Sequence, residues 1–136
     1  EKMLKQANKV LPEHRDGLVS RGNNLMKMQE FEKAAKVWRK AVNFFPQDPH
    51  FHHSLGQAYQ GSGKNVEAEA AYEKMLKADS SNPEAYMTHG IAVVQLGSLE
   101  AAEKSFRRAL EMNPTSLDAL YYVGVTLLNR NQHEEA

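Results

Sequence analysis

The sequence predicts an all-α chain built from 34-residue helix-turn-helix units, on three observations. Glycines Gly22, Gly56, Gly90 and Gly124 stand 34 residues apart, each inside a stretch otherwise suited to helix. Twelve residues after each comes an alanine: Ala34, Ala68, Ala102 and Ala136. Four residues further on, wherever the chain continues, stands an aromatic: Trp38, Tyr72 and Phe106. A glycine within a helix costs about 1 kcal/mol relative to alanine, so four at one period imply a close helix contact that admits no side chain. The expectation is seven helices and no strand.

The elements follow in order. Residues 1–12 fit the second helix of a preceding unit, with Leu4, Ala7 and Pro12 in the places of Trp38, Ala41 and Pro46. Three complete units follow at 15–48, 49–82 and 83–116, each turning near Gln29-Glu30, Gly63-Lys64 or Gly97-Ser98. Their second helices close near Pro46, Ser80 and Pro114, and proline in particular cannot continue the hydrogen-bond ladder. Residues 117–136 supply the first helix of a further unit and break off at Ala136, where its partner begins. Each unit carries an apolar face that only a stacked neighbour can bury. The chain therefore reads as a piece of a longer array, lacking its native N-terminus. Its ends are uncapped, with Leu120, Val123, Leu127 and Leu128 short of a covering helix, so self-association is a possible outcome.

Composition narrows the function. Seventeen basic residues balance seventeen acidic ones, so no net field draws the whole chain to nucleic acid or an anionic membrane. Without cysteine there are no disulfides, thiolate metal sites or cysteine nucleophiles. No apolar run reaches the roughly 18 residues needed to span a bilayer, so no direct membrane insertion is expected. The compartment stays undecided between the cytoplasm and a bacterial periplasm.

The ordered set Leu55-Gly56, Tyr59, Ala68 and Tyr72, and again Tyr86, Gly90, Ala102, Phe106, Ala109 and Pro114, resembles the tetratricopeptide repeat. Departures are His52 and Leu18 for the first aromatic, Arg21 and His89 for the leucine before glycine, Leu25 and Val93 for the second aromatic, and Met75 for the later alanine. The resemblance implies a right-handed solenoid with the first helix of each unit on a concave wall. That wall would carry Asn23, Lys27, His53, Gln57, Met87, Ile91, Tyr121 and Val125, passing from amides at the N-terminal end to Met, Ile, Val and Tyr at the other. It suits a protein or peptide partner with apolar side chains, held as by an adaptor or scaffold. The alternative is a self-assembling structural scaffold that uses the groove and the open ends.

Chaperone-binding members of this family clamp a C-terminal carboxylate with lysine, asparagine and arginine. The corresponding places hold Val19, Asn23, Ser54, Glu84 and Thr88, so one of five matches and none of the required cations is present. One unit later they hold His53, Gln57, Thr88, Asp118 and Tyr122, none of which matches. A chaperone carboxylate clamp is therefore not expected.

Other constellations carry less. His50 and His53 share a helix face, but zinc wants further ligands and only Asp48 is near, so no metal and no cofactor is expected. Gly61-Ser62-Gly63 follows no strand and reads as a helix-helix turn; Glu67, Glu69, Glu134 and Glu135 read as solvated surface. No catalytic set emerges, so the chain is not expected to be an enzyme. Lys33, Lys36, Arg39, Lys40, Lys104, Arg107 and Arg108 fall on second helices among Glu32, Glu73, Glu103 and Glu111. They read as a salt-bridged convex surface, with no nucleic-acid partner.

Overall fold

Two local signals, each recurring every 34 residues, delimit the helices. The first is a turn in which one residue takes a left-handed conformation: Gln29 at φ 60°, Gly63 at φ 79° and Gly97 at φ 86°. At each, the following N–H reaches five residues back, from Glu30 to Leu25 O at 2.9 Å, Lys64 to Tyr59 O at 2.8 Å and Ser98 to Val93 O at 2.9 Å. The left-handed residue's own N–H reaches three back, to Met26, Gln60 and Val94. This pair of bonds satisfies carbonyls that a helix end leaves without partners. The second signal is a capping side chain. Asp48 accepts from His50 N–H at 3.0 Å, Asn82 from Glu84 N–H at 3.0 Å and Ser116 Oγ from Ala119 N–H at 3.1 Å. Pro49 and Pro83 occupy first helical positions, where the missing N–H costs nothing.

The computed structural model describes residues 2–135, with side chains from Arg15 to Asn131. It is all helical. The elements are α1 (Lys2–Lys27), α2 (Phe31–Phe44), α3 (Pro49–Gly61), α4 (Asn65–Ala78), α5 (Pro83–Gln95), α6 (Leu99–Met112) and α7 (Leu117–Glu135). Among the described residues there are seven helices and no strand. One boundary differs from the sequence reading: α1 runs unbroken through Pro12. The register position that caps α3, α5 and α7 falls on His14 in α1, a residue type that does not cap, so nothing there restarts a helix. An internal proline removes one ladder bond and bends a helix without having to end it.

The chain forms two compact units, residues 1–71 and 72–136, divided within α4. In the first, α2 packs against both α1 and α3. Its core holds Leu18, Ala34, Val37, Trp38, Ala41, Phe51, Leu55 and Ala58. Trp38 is fully buried and lies so close to Gly22 that a Cβ there would enter its ring. Trp38 also meets Phe51, with centroids 6.0 Å apart. Arg15 Nη2 donates to Asp48 Oδ2 at 2.5 Å while its guanidinium lies 4.6 Å from the Phe51 centroid. Asp48 thus caps α3 and ties it to α1. His52 is buried, and because the Pro46 carbonyl can only accept, the 2.8 Å bond between them places the proton on Nε2.

In the second unit α6 packs against both α5 and α7. Phe106 closes over Gly90, where a Cβ would stand 2.5 Å from the ring, and stacks on Tyr122 at 5.0 Å. His89 Nδ1 and Ser105 Oγ, both buried, are 2.5 Å apart. Glu103 accepts from Arg107 at 2.9 Å and from Arg130, joining α6 to α7. The Arg107 hydrogen bond, with that of Arg130, holds the Glu103 carboxyl below its ordinary range against the opposing effect of burial. Gly124 differs from Gly22 and Gly90, for nothing lies within 4 Å of where its Cβ would be. The ring that covers the other two comes sixteen residues later, which for Gly124 falls past Ala136.

Gly90→Ala is expected to destabilise by about 1–3 kcal/mol, because the buried Phe106 ring has nowhere to go. Gly124→Ala, in open space within a helix, is expected to stabilise by up to about 1 kcal/mol. Urea midpoints of the two variants moving in the same direction would refute the close-approach account. Gln29→Gly is expected to raise stability by about 0.5–1 kcal/mol, the left-handed penalty of a side chain less the larger entropy loss of glycine. Thermal melts that show Gln29→Gly at or below wild type would remove this account of the turn.

Candidate partner-binding site

The residues expected on the partner-facing wall all lie on first helices, and each helix contributes an i, i+4 pair that shares one face. On α1, Asn23 and Lys27 are exposed; on α3, Gln57 is exposed and His53 half-buried. On α5, Ile91 is 39% exposed but Met87 only 8%. Met87 is therefore a packing residue rather than an open one. The reason lies in α5 itself, which is apolar around most of its circumference, and such a helix is buried on more than one side. On α7, Tyr121 is 65% exposed and Val125 half-buried, and Leu117, Leu120 and Leu128 are exposed along the same helix.

Electrostatics distinguish α3. His53 is held below its ordinary pKa first by burial and then by repulsion from His50, one turn earlier. The capping carboxylate of Asp48 is engaged by Arg15 and by the His50 N–H.

A feature missed by the sequence reading lies in the second unit. A cleft of about 670 Å³ is lined by the end of α4, the first turns of α5 and one side of α6. Buried His89 and Ser105 form its floor, half-buried Leu76, Tyr86 and Ala101 its walls, and Glu73, Lys77, Glu100, Lys104 and Arg108 its rim. The available signal was small residues at Ala101 and Ser105, one turn apart, where α6 would otherwise fill the gap. The sequence reading treats Lys104, Arg107 and Arg108 as one solvated set. The structure separates them: Arg107 pairs with Glu103 and Arg108 with Glu111, while Lys104 borders the cleft.

Comparisons agree with this architecture. Tetratricopeptide repeat models match residues 22–63, 49–82 and 87–136. The human Protein O-mannosyl-transferase TMTC3 is 29% identical over 126 residues, covering 90% of this chain but only 14% of that protein. The first TPR domain of human RPAP3 superposes with a TM-score of 0.72 at 24% identity, covering 92% of this chain and 98% of that one. The first TPR of Spaghetti (RPAP3), bound to the HSP90 peptide SRMEEVD, gives a TM-score of 0.68 at 24% identity, covering 88% and 94%. These likenesses show the fold.

The last comparison corrects one expectation. The sequence reading excludes a chaperone C-terminal carboxylate clamp, yet a domain of this same fold holds an HSP90 peptide ending in Glu-Glu-Val-Asp. The exclusion does not stand. It scored side chains at five places only, and so passed over Lys27, an exposed cation one turn beyond Asn23, the position that did match.

The depressed pKa of His53 has a definite sign. The folded state favours the neutral ring, so stability is present above the ordinary value of about 6.5 and is lost as pH falls below it. His53→Gln is expected to lose less stability than wild type between about pH 7.5 and about pH 5.5. Denaturation midpoints with equal pH dependence in both proteins would contradict the assignment.

Proposed function

Because the chain belongs to the tetratricopeptide repeat family, we propose that it is a protein-interaction module, without catalytic chemistry of its own, that holds an extended segment of a partner on its first helices. The complete repeats in this reading are 15–48, 49–82 and 83–116. The observation that carries it is the solvent exposure of Asn23, Lys27 and Gln57 on α1 and α3 of the first unit, and of Ile91 and Tyr121 on α5 and α7 of the second. Amides and a lysine on α1 and α3 suit main-chain groups and carboxylates, and Ile91 and Tyr121 suit apolar side chains. Acidic C-terminal tails of chaperones, the ligand class held by a domain of the same fold, belong among its candidate partners. The transferase activity in the name of the human relative is that protein's, of which the chain matches 14%.

The test is fluorescence anisotropy with labelled SRMEEVD, alone and with an amidated C-terminus. Saturable binding, weakened at least about tenfold by Lys27→Glu and by amidation, is expected of a wall that takes the tail. Absence of saturable binding would remove this ligand class. Binding indifferent to both Lys27→Glu and Ile91→Glu would remove the first-helix wall.

A further inference from the structure

The cleft of the second unit is built from residues that the wall on the first helices does not use. Its rim carries charges of both signs. On α4, Glu73 precedes Lys77 by one turn; on α6, Glu100 precedes Lys104 and then Arg108 by one turn each. The charges also differ in what they already engage. Glu100 pairs with Arg130 at 3.5 Å and Arg108 with Glu111 at 3.1 Å. Lys77 and Lys104 form no ion pair among the described residues. Leu76, Ala101 and Tyr86 provide half-buried apolar surface within it, and about 670 Å³ is room for several side chains.

We propose that this cleft docks an internal acidic segment of a partner protein. Its aspartate or glutamate side chains meet Lys77 and Lys104, and an adjacent bulky apolar side chain lies on Leu76, Ala101 and the Tyr86 ring. Charge complementarity selects the occupant: the two lysines without an ion pair attract carboxylates, while Glu73 and Glu100 disfavour them elsewhere on the rim. The inference rests on the second unit alone and is independent of the wall on the first helices.

The probe is a fluorescein-labelled, N-acetylated and C-amidated peptide with one leucine followed by three aspartates, which offers no C-terminal carboxylate. With the full chain, saturable anisotropy that falls with added salt is expected. The Lys77→Glu, Lys104→Glu double variant should lower affinity at least about tenfold, and Lys77→Arg, Lys104→Arg should retain it within about threefold. Replacing the leucine of the peptide with glycine should weaken binding, and Lys27→Glu should leave it unchanged. Amide shifts on titration should concentrate at Leu76, Tyr86, Ala101 and Ser105. Both lysine variants leave the core and every ion pair above intact, so unchanged helicity is the control for folding. No saturable binding, equal binding by the charge-reversed variant, or loss on Lys27→Glu instead would overturn the proposal. Displacement by free succinate as effective as by unlabelled peptide would also overturn it, since the site would then read charge without the apolar neighbour.

Discussion

The contact of a helical glycine with an aromatic ring sixteen residues later is the constraint on which the packing depends. Gly22 lies against Trp38 and Gly90 against Phe106, so closely that no side chain fits between. The ring can then fill the space between one first helix and the next, and Trp38 does so by reaching Phe51 on α3 while Phe106 reaches Tyr122 on α7. Without the glycine the second helix would stand off by the width of a methyl group, and the dense contact that supports an interior would be lost. The cost of glycine in a helix is thus offset by an aromatic ring buried on both sides.

Much of this was legible because its causes are local or periodic. The turns at Gln29, Gly63 and Gly97 and the caps at Asp48, Asn82 and Ser116 are set by residue types at fixed offsets, and the glycine and aromatic rows announce the helix contacts. What escaped depends on surroundings. The helix break expected at Pro12 is absent because an interior proline can bend a helix without ending it, and no capping residue type stands at position 14 to begin another. Met87 looked open from its row, but burial is decided by the whole circumference of α5 rather than by one position. Gly124 keeps the glycine period, but nothing among the described residues lies within 4 Å of where its Cβ would be.

The site was legible in part for the same reason. The repeat puts Asn23, Lys27, Gln57, Ile91 and Tyr121 on first helices, and each of these side chains is exposed there. The exclusion of a carboxylate clamp failed because a score of fixed side-chain places left out Lys27 on α1. The cleft beside α6 escaped because it is made by what Ala101 and Ser105 do not fill, and a string of residues shows occupancy more readily than vacancy. Charge on the second helices likewise had to be seen in place. Glu103 is committed twice, to Arg107 and to Arg130, which leaves the neighbouring Lys104 without a partner on its own helix.

The turn bonds span three to five residues, and the closely packed pairs α1–α2, α2–α3, α5–α6 and α6–α7 are all neighbours in the chain. Such a molecule has low contact order: little loop-closure entropy separates the unfolded chain from its first native contacts. Each helix pair can close as soon as its own residues have left the ribosome, without waiting for the far end of the polypeptide. Damage is confined in the same way, since a lesion in one pair removes a neighbour from the next but leaves the more distant pairs with every contact they need.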